Sequence, residues 1–386
     1  MLPFAFNTTK SLVFRPGAAA DLATVAGGLL GGRILFVTDP GLRKLGLCDP
    51  ALASLAAAEF EVTVFDAVEA DPSRATLEAA VAAGQAAGAT GVVGFGGGSS
   101  LDVAKLAALL LGSGEDLDEA WGVAQAKGPR LPLVLVPTTA GTGSEVTPVS
   151  IITVGAEEKR GVSSPVILPD IAVLDADLTL GLPAPITAAT GVDAMVHAIE
   201  AYASASANNN PLSRMLAREA LRLLGSNIRT VVADPGNVDA RGAMLLGSML
   251  AGQAFANSPV AAVHALAYPI GGTFHVPHGL SNALVLPHVL RFNAPDAYAL
   301  YAEIAADAFP QLATVDGAQA RCAAFIDALA GLSQELGMPT RLRDVDIPET
   351  ALEKMASDAM LQQRLLVNNP RPVSEADALT IYRAAW

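Results

Sequence analysis

Basic residues are scarce in this 386-residue chain: 24 Lys and Arg stand against 38 Asp and Glu, a formal net charge of -14 with a pI near 4.7. Such a chain has little with which to track a phosphate backbone, which argues against a nucleic-acid partner. Cysteine is scarcer still. Cys48 and Cys322 lie far apart in sequence that reads as helical, so a disulfide framework is excluded and two inert thiols in a reducing, cytoplasmic compartment are expected. Charged residues make up only 16%, while the 52% hydrophobic share is rich in alanine; disorder and coiled coil are both disfavoured. Lys10 and Arg15 interrupt the first residues, so no secretory signal is expected there.

One long stretch lacks formal charge altogether. From Gly242 to Leu290 there is no Lys, Arg, Asp or Glu. It nevertheless carries Pro259, Pro269, Pro277 and Pro287, repeated Gly and four of the five histidines, which a lipid-facing helix would have to satisfy internally. A buried region built around something that binds imidazole fits better than a membrane span.

What is present falls into two halves. Up to about residue 180, β-branched runs at Arg33 to Thr38, Glu61 to Phe65, Gly91 to Phe95, Leu133 to Val136 and Ile171 to Leu174 alternate with helical stretches such as Pro72 to Ala87 and Leu101 to Leu111. That alternation predicts a parallel α/β domain over 1–182. After Leu182-Pro183 the β-rich runs stop, and helical pattern over Ile186 to Ala203, Pro211 to Val232, Asp239 to Phe255 and Ala318 to Leu336 predicts an all-helical domain over 183–386. No internal repeat is visible.

Three elements of the first half suit a dinucleotide. Gly96, Gly97, Gly98 and Ser99 follow a strand and open a helix bearing Asp102 and Lys105; free N–H groups at such a turn suit a pyrophosphate, although a plain tight connection would look similar. Asp39 follows the first strand and could accept hydrogen bonds from a ribose, or serve simply as a turn residue before Pro40-Gly41. It precedes the glycines by about sixty residues, whereas the Rossmann acid follows them by about 20, so the topology differs. Pro137 to Thr147, with Thr138, Thr139, Thr142, Ser144 and Val146, is a hydroxyl-rich loop after another strand, rich in small donors for sugar and phosphate oxygens.

In the second half, Asp193 and His197 are i and i+4 and share a helix face, His264 lies in a second apolar helix and His278 opens a third. One such histidine is ordinarily a satisfied core residue, but four groups in nearly charge-free sequence suggest an N3O set for a divalent metal acting as a Lewis acid.

These motifs together resemble the iron-containing (group III) alcohol dehydrogenases, and the likeness runs essentially end to end: Gly96-Gly97-Gly98-Ser99 with Asp102 and Lys105, the Pro137 to Thr147 loop, Gly191-Val192-Asp193-Ala194 with His197, and His264 through Pro269 to Val276-Pro277-His278-Gly279. The resemblance implies a dehydroquinate-synthase-like nucleotide domain followed by a helical metal domain, a homodimer, and reversible hydride transfer between NAD and a small alcohol, aldehyde or ketone. It also implies that Asp193, His197, His264 and His278 bind Fe2+, or Zn2+ in some relatives, and that Lys159, Leu178 and Leu182 contact the cofactor. Many relatives carry His where this chain has Tyr268, which leaves the proton path open, with Tyr268 expected in the substrate pocket. His275 is an additional imidazole that could serve in the proton path or simply sit at the surface, the second reading being favoured slightly. Glycerol-dehydrogenase-like and maleylacetate-reductase-like enzymes are the neighbouring alternatives. A dehydroquinate-synthase-type lyase would need several Lys and Arg for its phosphorylated acid, and the metal segment has none.

Overall fold

The computed structural model describes residues 3–155 and 158–386. They divide into two compact units, one of Asn7–Thr139 with Gly143–Gly181, the other of Leu182–Trp386 joined by residues 3–6 and Ala140–Thr142.

The first unit holds nine strands: β1 (Ser11–Phe14), β2 (Arg33–Val37), β3 (Glu61–Phe65), β4 (Gly91–Gly96), β5 (Gly122–Val123), β6 (Leu133–Pro137), β7 (Val149–Val154), β8 (Glu158–Ser163) and β9 (Ile171–Leu174). Six of them form one sheet in the order β1-β9-β6-β4-β2-β3, and every pairing in it is parallel. The helices are α1 (Leu22–Leu30), α2 (Pro40–Lys44), α3 (Asp49–Ala57), α4 (Arg74–Ala87), α5 (Gly98–Ser113) and α6 (Leu117–Ala120).

Successive residues of the central strands feed opposite cores, as the period of two requires. Leu35, Val37, Val92 and Leu135 pack with Leu77, Leu106 and Leu109 of α4 and α5. Ile34, Phe36, Val93, Phe95 and Val136 pack with Leu22, Leu30 and Leu55 of α1 and α3. Both faces are therefore covered, and the strands read as continuous apolar runs.

The second unit contains α7 (Ala184–Ala203), α8 (Pro211–Ala233), α9 (Val238–Asn257), α10 (Ala262–Phe274), α11 (His278–Ala308), α12 (Ala318–Glu335), α13 (Leu352–Ala359), α14 (Gln363–Leu366) and α15 (Glu375–Ala385). Close approach of α8 to α11 requires a glycine: a Cβ on Gly225 would lie 2.1 Å from the carbonyl oxygen of Ala308. The charge-free stretch supplies α10, most of α9 and the first part of α11, up to Leu290. Pro269 lies inside α10, and Pro287 and Pro295 inside α11. Among the described residues no helix is long and apolar enough to cross a membrane.

Both cysteines are buried and unpaired. Cys322 is in α12, whereas Cys48 sits at the cap of α3, where its sulfur lies 3.4 Å from the Thr38 hydroxyl.

Candidate metal centre and cofactor loops

In the helical unit, α7 places Asp193 and His197 one turn apart on a buried face, α10 brings His264 and the first residue of α11 is His278. One ligand atom from each of the four lies within 4.8 Å of all the others. Asp193 is 2% exposed, and His197 and His264 4% each; His278 is half-buried.

The rings are held from outside the cluster. His264 Nδ1 is 2.6 Å from Glu200 Oε2, and the other Glu200 oxygen accepts the Val263 N–H at 2.7 Å. His197 Nδ1 is 3.2 Å from the Gly141 carbonyl, and its ring stacks on Phe255 at 4.5 Å and on His264 at 4.8 Å. With each Nδ1 donating to an oxygen, each Nε2 is the lone-pair nitrogen, the tautomer a metal ligand needs. Burial alone raises the Asp193 carboxyl, but its electrostatic interaction with the His197, His278 and His264 rings and the hydrogen bond from the Asn282 amide outweigh it, and the net shift is downward. His197 is pushed down to about 3, chiefly by burial and against the pull of Asp193. Both shifts keep the ligands in their metal-binding protonation states.

Asn282, one turn beyond His278, provides the test of fit. Its Nδ2 donates to Asp193 Oδ1 at 2.6 Å and lies 3.3 Å from both His264 Nε2 and His278 Nε2. Its Oδ1 is buried with no hydrogen-bond partner among the described residues, a costly state for a carbonyl oxygen. Three acceptors converge where an amide donor now stands, and lone pairs so arranged call for a positive centre. The donor set, one carboxylate and three imidazoles, suits a divalent transition ion.

Tyr268 lies one turn past His264, its ring 6.3 Å from that of His278, and its hydroxyl accepts a hydrogen bond from Arg364 Nη2 at 2.9 Å. His275 is exposed and ends α10 in the left-handed conformation at φ 55°.

In the α/β unit, Asp39, the Gly96-Gly97-Gly98 turn and the Thr-rich loop emerge from the carboxyl ends of β2, β4 and β6, which are neighbours in the sheet. The connection leaving β2 runs outward to β3, and the one leaving its neighbour β4 leads the opposite way to β6, so the gap between β2 and β4 is the topological switch point where open parallel sheets bind ligands. The acid sixty residues upstream is thus one strand away.

Gly97 caps α5 and Gly96 has φ 150°; a Cβ there would meet Ser100 Oγ at 2.8 Å. Asp39 is half-buried, and one oxygen accepts the Leu42 N–H at 3.0 Å as the cap of α2. Ser99 lies in the first turn of α5, Thr138 is buried and Thr139 flanks Gly97.

Asp102 and Ser144 bond each other: the Ser144 hydroxyl donates to Asp102 Oδ1 at 2.6 Å, and Asp102 Oδ2 accepts the Ile151 N–H at 2.9 Å. Lys105, fully buried, donates to Ser144 Oγ and to the Val149 carbonyl, both at 2.6 Å. Burial pushes its ammonium down, countered by Asp102 and Glu145, while burial pushes the neighbouring Glu145 carboxyl up to about 7. These groups lock the start of α5 to the Thr-rich loop from beneath.

Val146 and Leu178 are buried, Leu178 against the α1/α3 core. Lys159 on β8 pairs with Asp71 at 2.5 Å. Thr142 and Leu182 belong to the helical unit, where the Leu182 carbonyl accepts from Arg241 at 3.3 Å.

Glu200, Asn282 and Phe255 were not singled out from sequence. Glu200 could have been, since it lies seven residues after Asp193 on the same helix face.

Two family models match the chain: "Iron-containing alcohol dehydrogenase" over residues 9–176 and "Fe-containing alcohol dehydrogenase family, C-terminal" over residues 187–386. The chain is 40% identical over 375 residues to long-chain-alcohol dehydrogenase 1 of Geobacillus thermodenitrificans, covering 96% of this chain and 93% of that protein. Among solved structures, an alcohol dehydrogenase from Oenococcus oeni matches with a TM-score of 0.95 at 31% identity, over 100% of both chains. A sulfoacetaldehyde reductase from Bifidobacterium kashiwanohense, solved in complex with NAD+, matches with a TM-score of 0.86 at 27% identity, over 100% of this chain and 99% of that one.

Proposed function

Because the chain belongs to the iron-containing alcohol dehydrogenase family, we propose that it is an NAD-dependent member acting reversibly on small alcohols and their aldehydes or ketones. The observation that carries this reading is the convergence of Asp193, His197, His264 and His278 within 4.8 Å, with Glu200 and the Gly141 carbonyl fixing two of the rings. In the proposed division of labour, residues 1–182 serve the nucleotide and 183–386 the metal and substrate. A homodimer in the cytoplasm, with Fe2+ as resident ion and Zn2+ as the alternative, completes the reading on family likeness.

Asp193, His197, His264 and His278 would hold the ion, which when bound supplies Lewis acidity that lowers the pKa of the substrate alcohol. The glycine turn and the threonine loop would hold NAD, which would supply the hydride acceptor. The protein's own groups do the rest. Asp39 would bond the adenosine ribose hydroxyls with the oxygen not used to cap α2. Gly96 to Ser99 and the hydroxyls of Thr138, Thr139 and Thr142 would take the phosphates and sugars. Asp102 and Ser144 spend their hydrogen bonds on each other and on Lys105 and Ile151, so their contribution is to hold both loops in place. Lys159, Val146, Leu178 and Leu182 are carried as cofactor contacts on the same likeness.

Tyr268 would line the substrate side of the cluster. Its hydroxyl already accepts a hydrogen bond from Arg364, which leaves its own proton available to be passed on or shared with a substrate oxygen. Its role is to relay a proton or bond a substrate oxygen, short of being the obligatory base.

The test is metal dependence. Chelation should abolish NADH oxidation with aldehydes, Fe2+ or Zn2+ should restore it, and His264→Ala should lose the metal. Full turnover by metal-free protein would overturn the mechanism.

A further inference from the structure

The residues around Tyr268 bear on the kind of molecule that approaches the cluster. Gly242 to Leu290, which provides His264, Tyr268 and His278, contributes no formal charge, and the chain as a whole is strongly acidic. Arg364, on the four-residue α14, brings a formal positive charge to Tyr268. Its Nη2 donates to the Tyr268 hydroxyl at 2.9 Å, and its guanidinium carbon is 5.7 Å from the centre of that ring. The ring in turn lies 6.3 Å from that of His278. Arg364 is exposed, so it is not there to satisfy a buried carboxylate.

A phenol takes one of the five N–H donors of a guanidinium and leaves its charge intact. By accepting from Arg364, the Tyr268 oxygen also leaves its own proton free to donate outward. Together they offer a cationic fork and a hydroxyl donor beside the ligand ring, a geometry matched to a planar or tetrahedral oxyanion. An acidic protein repels anionic substrates unless a local positive group offsets its field.

Building on the dehydrogenase reading above, we propose that Arg364 recognises an anionic group, a carboxylate or sulfonate, at the far end of a short aldehyde whose carbonyl oxygen reaches the Asp193/His197/His264/His278 cluster. Arg364 is then a specificity residue for acidic aldehydes and their hydroxy acids, and Tyr268 its anchor.

The experiment compares two aldehydes of equal chain length, succinate semialdehyde and butyraldehyde, on metal-loaded wild type, Arg364→Leu and Arg364→Lys. Calorimetric titration with unreactive butyrate accompanies them. Wild type should prefer the acidic aldehyde. Arg364→Leu should lose about 10–100-fold in kcat/KM on it, mainly through KM, the range of a charge-assisted hydrogen bond. Butyraldehyde should change by less than about twofold. Arg364→Lys should keep part of the preference, and butyrate binding should vanish in the leucine variant. Wild type favouring butyraldehyde, or equal losses on both substrates, would overturn the inference and leave the dehydrogenase reading standing. A loaded wild type inactive on these and on simple alcohols would overturn that reading instead, and butyrate binding would then decide the arginine alone.

Discussion

Glu200 grips His264 and the turn that carries it at the same time: one carboxylate oxygen is 2.6 Å from His264 Nδ1, and the other accepts the N–H of Val263 at 2.7 Å. Ring orientation and helix entry are thereby fixed by a single buried side chain of a different helix. Glu200→Gln keeps the volume but replaces one acceptor oxygen by an amide donor. Metal affinity, measured by competition with a chelator, should fall by roughly 10–100-fold, the usual effect of removing an outer hydrogen-bond partner. Unchanged affinity would mean that stacking on His197 orients the ring by itself.

Gly279 follows His278 directly. A Cβ there would stand 2.5 Å from the Ala189 carbonyl oxygen and 3.2 Å from Asp193 Cβ, so α11 would have to move away from α7. Gly279→Ala should therefore separate His278 from Asp193, lowering bound metal per chain while circular dichroism shows intact helices. The overpacking cost should be about 1–3 kcal/mol, read as a lower Tm.

Asp39 is the residue expected to discriminate against a 2′-phosphate by charge repulsion. Asp39→Gly should raise NADP use relative to NAD, measured as the ratio of kcat/KM values, at a capping cost of only a few tenths of a kcal/mol for Gly in place of Asp. A wild type that already uses both cofactors equally would show that Asp39 does not face the ribose.

Acid stability should report on Asp170. Burial raises its carboxyl, but hydrogen bonds from Arg130 at 2.6 Å, Lys10 at 2.6 Å and the Leu133 N–H at 3.0 Å bring it down to about 2. A carboxyl lowered on folding contributes stability that is fully present above its unfolded pKa of ~3.9 and is lost as pH falls towards 2. Since Lys10 is largely solvated, the contribution is roughly 1–2 kcal/mol. Asp170→Asn should lower stability at pH 6 and flatten its fall between pH 4 and 2 in urea titrations. An identical slope in both proteins would contradict this.

The strands legible in the sequence are β-branched runs, mostly apolar and buried on both faces, and even the half-buried edge strand β3 shows as such a run, Glu-Val-Thr-Val-Phe, because a run of this kind bounded by turn residues has few other readings. β1 is only Ser11–Phe14 at the sheet edge with its side chains largely exposed, and β8, Glu-Lys-Arg-Gly-Val-Ser, carries its charges where alternation would have shown. Neither leaves a periodic signal. The four clustered ligands were legible because helical spacing and rare residue types announce them. Arg364 was not, since its approach to Tyr268 is made across 96 residues by a single-turn helix. Asn282 lies in the helical register of His278, yet an asparagine in an apolar helix gives no sign of what it donates to.

The ammonium of Lys105 has a consequence for anyone handling the protein. With none of its surface accessible and its donors committed to Ser144 Oγ, Thr147 Oγ1 and the Val149 carbonyl, it is shielded from amine-acylating reagents that reach surface lysines such as Lys10 and Lys127. Its acylation, followed peptide by peptide in a mass spectrometer, becomes a clock for how often the glycine turn and the threonine loop come apart, and a saturating dinucleotide seated over them should slow that clock.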